Sequence, residues 1–296
     1  MSRGAVWRED VSLRPLTTYK VGGTARYYAR ATSTEDIGAL VTSAPAAITV
    51  LGRGSNVVIA DRGIPGAVLH VAGGDIAMSG ASVVADAGVP LSRLARETVN
   101  EGRRGLEFMV GIPGSVGGAV VMNAGCHGSE TRERLVGARL LDLDTATVAD
   151  RSPEELAMGY RSSNVTERQI VIDATFHTRP GKADAATAEL RRITAWRRRS
   201  QPGGSLNAGS VFKNPPEDSA GRLIDVTGLK GLRIGGAEVS AKHANFIVAA
   251  DEARADDVWR LVWAVRRRVA EAFGVVLEPE LRFFGEFEPC ADREAV

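Results

Sequence analysis

The sequence predicts a protein of mixed helices and strands in two or three domains, on three observations. Its length of 296 residues exceeds that of a usual single domain. The N-terminal half alternates short β-like runs with glycine-rich turns, whereas the last third contains one long amphipathic helical pattern. This change of pattern places a domain boundary near residues 180–200.

Short strands and helices are predicted in order through the first two thirds. Helices are expected at 35–41 and at 92–102, where Gly102 can end the second helix, and another helix begins within 182–188. Apolar runs bounded by Gly, Pro or Asp predict strands at 48–51, 57–59, 68–71, 83–87, 138–143 and 170–177.

The clearest helix is predicted at 256–273. Its apolar residues recur at spacings of three and four, and Gly274 stands where a glycine C-terminal cap belongs. A helical turn is expected at 221–226. The remaining segments predict strands or loops at 233–239 and 244–250 and a strand at 275–284.

Composition argues against several classes of function. A net charge of +1 provides no basic or acidic field for nucleic acid or a membrane surface. Residues 1–10 lack the apolar core of a signal peptide, and no run of about 18 apolar residues could span a membrane. The two cysteines, Cys126 and Cys290, form neither a disulfide framework nor a zinc motif. We therefore expect a cytoplasmic protein without a metal site.

The segment 208–215 is the most informative feature of the chain. It places Ser210, Lys213 and Asn214 in five positions, between Gly209 and Pro215, which restrict the backbone. Such a segment can present polar groups to a small ligand. On composition alone, an ordinary polar surface turn is equally compatible.

Two glycine clusters predict phosphate-binding loops. Residues 52–56 follow an apolar run. Residues 111–119, with 122–125, contain five glycines, and 111–119 read as a rigid, closely packed loop. Glycines let backbone N–H groups approach an anion. The spacing matches neither a dinucleotide fingerprint nor a Walker A loop. Together the clusters favour a nucleotide cofactor over structural turns.

Other candidate groups remain ambiguous from the residues alone. Arg161, beside Tyr160, could clamp a carboxylate or could be a surface arginine. Alternation places Glu280 on a face that could simply be solvated. His127 and His243 have no partner at a catalytic spacing, and both are interpreted as structural.

Six motifs, taken in chain order, closely resemble the UDP-N-acetylenolpyruvoylglucosamine reductase family. The resemblance covers about residues 12–287, nearly the whole chain. Its motifs are residues 17–25, 52–56, 111–119 with 123–125, 160–161, 208–215 and 277–282.

The resemblance implies a fold and a cofactor. It implies the α+β fold class, with a two-lobed FAD-binding domain of the vanillyl-alcohol-oxidase (PCMH) type at 1–185, whose lobes are about 1–75 and 76–185. A C-terminal α+β substrate-binding domain would occupy 200–296. The FAD is expected to be non-covalent, since 52–56 contain no His for covalent attachment. Its diphosphate would be held by Gly52, Arg53, Gly54, Ser55, Asn56, Gly111, Ile112, Pro113, Gly114, Ser115, Gly118 and Ala119.

The resemblance also implies an activity, namely NADPH-dependent reduction of UDP-N-acetylglucosamine enolpyruvate in peptidoglycan precursor synthesis. Arg161 and Glu280 match the residues that stabilise the enolate, and Ser210 matches the proton donor to C2. Glu280 would have to be protonated or neutralised by a neighbour, because an ionised carboxylate would repel the enolate. Substrate-binding positions match Tyr160, Lys213, Asn214 and Lys230.

One departure from the family pattern concerns tyrosine. Longer members insert a segment whose Tyr closes over the substrate diphosphate. Here all four tyrosines lie at or before Tyr160, and only 48 residues separate Arg161 from Ser210. The chain therefore resembles the shorter, second type, in which a more open site is expected.

One alternative function is a flavin oxidase of the same fold that acts on an alcohol or aldonolactone. The Ser210 turn disfavours it, since an oxidase needs no proton donor to a substrate carbanion. The other is a non-catalytic nucleotide-sugar binder, which the presence of all three presumed catalytic residues disfavours. We expect small-molecule partners only and a monomeric chain.

Overall fold

The computed structural model describes residues 5–294, so residues 1–4 and 295–296 of the predicted domains lie outside the described residues. Helices occupy Thr34–Thr42 (α1), Leu91–Asn100 (α2), Val116–Met122 (α3), Ala183–Ser200 (α4), Ala220–Val226 (α5), Ala255–Phe273 (α6) and Ala291–Glu294 (α7). Turns of 3₁₀-helix lie at Arg14–Leu16, Glu107–Gly111 and Thr131–Glu133.

Strands in the first half of the chain are Arg8–Ser12 (β1), Thr24–Ala31 (β2), Ile48–Leu51 (β3), Val57–Ile59 (β4), Ile64–Val71 (β5), Ile76–Ser79 (β6), Ser82–Asp86 (β7), Arg103–Arg104 (β8), Gly125–Cys126 (β9), Ser129–Glu130 (β10) and Leu135–Asp142 (β11). The later strands are Val148–Arg151 (β12), Gln169–His177 (β13), Arg179–Pro180 (β14), Arg233–Ile234 (β15), Ala237–Val239 (β16), Ile247–Ala249 (β17) and Arg282–Phe284 (β18).

The described chain forms two compact units, each with its own hydrophobic core. The first comprises 5–8, Tyr27–Arg53 and Gly66–Arg197, and the second comprises Glu9–Arg26, Gly54–Pro65 and 198–294. Neither unit is one continuous stretch of sequence. The lobe and domain boundaries expected near 75, 185 and 200 stay a prediction.

A five-stranded antiparallel sheet of order β12-β11-β13-β7-β6 lies at the centre of the first unit. Central strand β13 is buried continuously from Ile170 to Ala174, as its apolar run predicts. Helix α2 packs Leu94 into the same core and α3 adds Val120. A second sheet has the order β1-β2-β5-β3, in which β3 and β5 run parallel.

Helix α6 organises the core of the second unit. Its buried residues include Val258, Val262 and Val265, and they share one core with the three-stranded sheet β15-β16-β17. Asp61 satisfies the first two amides of the helix with hydrogen bonds of 3.0 and 3.1 Å. The helix ends at Gly274, whose φ of 67° confirms the predicted glycine cap.

Two predictions of local structure were wrong. Residues 116–119, predicted as a closely packed loop, belong to helix α3, because packing outweighs the low helix propensity of glycine. Gly117 allows this packing, since a methyl group there would lie 3.0 Å from Cβ of Ala87. The strand predicted at 275–284 is regular only in β18. Pro279, which has no N–H, makes only an isolated bridge to Phe212.

Membrane insertion finds no support in the helices. Within residues 5–294, no helix combines the length and apolar character that a membrane crossing requires.

Candidate active site

The segments that carry two of the predicted catalytic residues are joined main chain to main chain in the second unit. The amide of Glu280 donates to the carbonyl of Val211 over 2.7 Å. Since Ser210 directly precedes Val211, the structure places Ser210 and Glu280 on neighbouring, hydrogen-bonded segments. Both side chains are partly exposed, as a role in ligand contact requires.

A buried carboxamide, which the sequence analysis missed, fixes the Ser210 turn. Asn245 is 4% exposed. Its Oδ1 accepts from the Phe212 amide at 2.9 Å, and its Nδ2 donates to the Phe212 carbonyl at 2.8 Å. The available signal was one polar residue in the otherwise apolar run 244–249, because a buried polar group needs a specific partner.

Asn56 forms two hydrogen bonds with the segment that carries Glu280. Its Nδ2 donates to the carbonyl of Glu280 at 2.9 Å, and the amide of Arg282 donates to the Asn56 carbonyl at 3.0 Å. Sequence reasoning assigned Asn56 to the cofactor, and that assignment stays a prediction. The structure gives its carboxamide a contact that the sequence did not indicate, namely the main chain of Glu280.

The predicted substrate-binding residues of the second unit contact polar neighbours. Lys213 Nζ lies 2.6 Å from Glu278 Oε1, and Lys230 Nζ lies 2.6 Å from Asp225 Oδ2. Asn214 Oδ1 accepts from the first amide of α5 at 3.1 Å. Both carboxylate partners are half or more exposed, so these ion pairs contribute about 0–1 kcal/mol and can be exchanged at little cost.

The two glycine-rich segments approach each other in the first unit at Gly52 and Ser115. A methyl group on Gly52 would lie 2.7 Å from Ser115 Oγ, so glycine is the residue that fits. The amide of Gly117 donates to the carbonyl of Ala87 at 2.8 Å and anchors the start of α3. The other predicted cofactor residues lie in the 3₁₀ turn (Gly111), the loop after it (Ile112, Pro113, Gly114) and α3 (Gly118, Ala119).

The remaining residues of the first glycine cluster continue into the second unit. Gly54 has a φ of 62°, and a methyl group there would lie 2.0 Å from the carbonyl oxygen of Leu16. Glycine is therefore required at this position. Arg53 is exposed and Ser55 is half-buried.

Helix α3 carries the second glycine-rich segment at its N-terminus, and the residues at its C-terminus contact the Arg161 loop. Asn123, fully buried just after α3, donates through Nδ2 to the carbonyl of Gly159 at 2.8 Å. The hydroxyl of Ser163 donates to the carbonyl of Val121 at 2.8 Å. The loop is thus held on both sides of Arg161 by the end of one helix.

Arg161 adopts a constrained conformation within that loop. Its Nη2 donates to the carbonyl of Gly125 at 2.8 Å, and its guanidinium lies 5.1 Å from the ring centre of Tyr160, which is half exposed. Its φ of 53° is left-handed, which costs a non-glycine residue about 1–2 kcal/mol. A strained backbone that surrounding contacts maintain is a recurrent property of functional sites.

A neutral histidine lies near Arg53 in the first unit. His70 Nδ1 is 2.9 Å from the hydroxyl of Tyr28. Burial, with the charges of Arg30 and Arg53, lowers the pKa of His70 to about 4. His70 is therefore uncharged at neutral pH, which leaves the arginines as the cationic groups here.

The part of the chain from 5 to 294 contains no group of three His, Cys, Asp or Glu side chains that could hold a metal ion.

Comparisons with known proteins identify relatives along nearly the whole chain. A family model for the UDP-N-acetylenolpyruvoylglucosamine reductase C-terminal domain matches residues 201–284, and a model for an FAD binding domain matches residues 25–150. UDP-N-acetylenolpyruvoylglucosamine reductase from Synechocystis sp. is 40% identical over 96% of this chain and 92% of its own length. The protein of the same name from Synechococcus sp. (strain WH7803) is 42% identical over 95% and 94%, respectively.

A solved structure shows the same fold. The crystal structure of UDP-N-acetylenolpyruvylglucosamine reductase (MurB) from Thermus caldophilus matches with a TM-score of 0.83 and 37% sequence identity. The match covers 95% of this chain and 100% of that chain.

The close approach of Gly52 and Ser115 predicts the outcome of a methyl insertion. Gly52→Ala should lower the free energy of unfolding by about 1–2 kcal/mol, because the added methyl meets Ser115 Oγ in a packed site. Gly52→Ala combined with Ser115→Ala should recover most of that loss, since Ser115 makes no capping hydrogen bond. Urea unfolding measures both. Gly38→Ala, where nothing lies within 4 Å, is the control and should be neutral or stabilising. Equal stability of Gly52→Ala and wild type would contradict the packing argument.

The lowered pKa of His70 predicts acid sensitivity. In the folded state His70 stays neutral down to about pH 4, whereas in the unfolded chain it protonates near its ordinary pKa of about 6.5. The unfolded state therefore binds more protons in this window, and stability is lost as the pH falls from about 6.5 toward 4. Between pH 7 and 5 the loss attributable to His70 should be about 1–2 kcal/mol. Urea unfolding at several pH values should show a smaller acid-induced loss in His70→Asn; an unchanged pH profile would refute the assignment.

Proposed function

The chain belongs to the UDP-N-acetylenolpyruvoylglucosamine reductase family, and on that premise we propose NADPH as its reductant and Arg161, Ser210 and Glu280 as its catalytic residues. It is an FAD-dependent oxidoreductase of peptidoglycan precursor synthesis. Its α+β fold combines an FAD-binding domain of the vanillyl-alcohol-oxidase type with the family's C-terminal domain. The observation that carries the catalytic assignment is the hydrogen bond from Glu280 to Val211, beside Ser210.

The residues of the first unit suit the cofactor. Gly52 and Ser115 bring the two glycine-rich segments close together, and glycine-rich backbone lets amide groups approach a diphosphate. We propose that segments 52–56 and 111–119 hold the FAD non-covalently. When bound, FAD supplies the two-electron transfer from NADPH to the enolpyruvyl group of the substrate.

Ser210 is proposed to supply the proton that completes the reduction. Hydride adds to C3 of the enolpyruvyl group, and negative charge develops on C2 and the adjoining carboxylate as an enolate. The Ser210 hydroxyl then protonates C2, and solvent restores its proton. A serine hydroxyl is a weak acid, so its position relative to the enolate determines its efficiency.

Arg161 and Glu280 are proposed to stabilise the enolate. Arg161 provides permanent positive charge from a loop that Asn123 and Ser163 hold in place. Glu280 must act in its protonated form or beside a neutralising group, because two anions would repel each other. The main chain of Glu280 is restrained on both sides by Asn56 and Val211, which limits where its side chain can reach.

The substrate diphosphate is proposed to contact Tyr160, Lys213, Asn214 and Lys230. Lys213 and Lys230 already face exposed carboxylates, which a diphosphate can displace as the preferred anion. Tyr19 is unsuited to closing over the substrate, because it is fully buried and donates to the carbonyl of Ile247 at 3.1 Å.

The cellular location of the enzyme is proposed from the identity of its substrates. NADPH and a UDP-sugar are metabolites of the cytoplasm, and we propose that location for the enzyme. A monomer is proposed, which size-exclusion chromatography with light scattering can check.

An assay of the purified protein separates the proposed function from its rivals. The protein should be yellow, should release its flavin on acid precipitation, and should oxidise NADPH only when the enolpyruvyl UDP-sugar is added. Rapid turnover with oxygen alone would indicate an oxidase, and a colourless, inert protein would indicate a nucleotide-sugar binder.

Replacement of Ser210 tests its role in one half-reaction. Ser210→Ala should leave flavin reduction by NADPH nearly normal and slow reoxidation by the enolpyruvyl substrate by about 10²–10⁴-fold, the usual contribution of a positioned acid. Anaerobic stopped-flow absorbance follows the two steps separately. An equal effect on both would mean that Ser210 positions the cofactor instead.

A further inference from the structure

We propose that Asn245 is a positioning residue of the reductase, which orients the Ser210 hydroxyl and couples it to Glu280. The inference rests on the proposed proton-donor role of Ser210. No motif of the resemblance includes Asn245, and it lies 33 residues from the turn it contacts.

The main-chain polar groups of Val211 and Phe212 are fully accounted for. Asn245 binds three of them: its carbonyl accepts from the Val211 amide at 2.9 Å, and its carboxamide exchanges two hydrogen bonds with Phe212. The fourth, the Val211 carbonyl, accepts from Glu280. One asparagine and one glutamate therefore determine where this dipeptide lies.

This dipeptide cannot compensate for a lost partner with water. Val211 is 1% exposed, Phe212 is 2% exposed and Asn245 is 4% exposed. A buried main-chain group without a partner is strongly disfavoured, so the turn must move when the carboxamide is altered.

Displacement of the dipeptide Val211–Phe212 would move Ser210, which directly precedes it in the chain. Gly209 precedes it with a φ of 80°, and the Gly209 amide donates to Asn207 Oδ1 at 3.1 Å. Ser210 therefore lies between Gly209, which has a left-handed backbone conformation, and the hydrogen-bonded dipeptide Val211–Phe212. A shift of about 1 Å at a reacting group can reduce its rate by about 100-fold.

Only a carboxamide meets both requirements of Phe212. Asn245→Asp keeps an acceptor for the Phe212 amide but removes the donor to its carbonyl. Asn245→Leu removes both hydrogen bonds but is bulkier than asparagine. Asn245→Asp, which has nearly the size and shape of asparagine, separates the loss of a hydrogen bond from a change of volume.

The experiment measures both half-reactions of the full-length, FAD-loaded enzyme. Asn245→Asp should change flavin reduction by NADPH less than about threefold and slow reoxidation by the enolpyruvyl UDP-sugar about 10- to 100-fold, with a larger effect for Asn245→Leu. The control is Val262→Ala, a buried change in the same unit, which should affect neither step by more than about threefold. Equal slowing of both half-reactions by Asn245→Asp would overturn the proposal.

A double variant distinguishes positioning from a structural role. If Asn245 acts through Ser210, then Asn245→Asp should slow reoxidation by less than about threefold in the Ser210→Ala background. Retention of the full effect in that background would show that Asn245 acts independently, and would overturn the proposal.

Amide hydrogen exchange keeps the inference separate from the proposed function. Failure of the wild type to reduce the enolpyruvyl sugar would refute the function alone. In that case, the amides of Phe212 and Glu280 should still exchange at least about tenfold faster in Asn245→Asp than in Val262→Ala, because Asn245 holds the dipeptide Val211–Phe212. Unchanged exchange would overturn the proposal. Should neither Asn245 variant fold, wild-type exchange decides. Slow exchange of the Phe212 amide, comparable to that of amides in α6, supports the proposal that Asn245 holds this dipeptide, and fast exchange overturns it.

Discussion

Four main-chain groups of Val211 and Phe212 are the constraint on which the site in the second unit depends. They are buried, and their partners come from two distant segments, Asn245 and Glu280. Because the groups cannot turn to solvent, the three segments must keep one arrangement. The flanking residue Ser210 remains partly exposed and derives its position from these bonds. Rigidity next to an accessible hydroxyl is what a proton donor of low intrinsic acidity requires.

Helix α3 has the corresponding role in the first unit. Its N-terminus carries the glycine-rich segment, and residues at its C-terminus hold the loop of Arg161. Glycine inside a helix costs about 0.5–1 kcal/mol relative to alanine. Burial of Val116, Ala119 and Val120 offsets that cost, and Gly117 admits the contact with Ala87. A short, packed helix thus connects the segment proposed to bind the cofactor with a candidate catalytic residue.

Charge is distributed differently in the two units. In the second, Lys213 and Lys230 pair with exposed carboxylates that an incoming anion can replace at low cost. In the first, burial keeps His70 neutral beside Arg53. Lysine and arginine side chains are thus the cationic groups named in both units, and both residue types bind phosphate groups.

The sequence by itself determined the elements whose signal is local. Helix α6 and its cap at Gly274 follow from apolar spacing and one glycine, and strand β13 follows from one apolar run. Motif identities also sufficed to indicate the family and to single out Arg161, Ser210 and Glu280. Only the tertiary structure decided that 116–119 is helical, that 275–281 is irregular, and that Asn56 and Asn245 hold the segments of Glu280 and Ser210. The reason is physical: these outcomes depend on partners as far as 224 residues away, and no local propensity encodes which carbonyl a buried amide will meet.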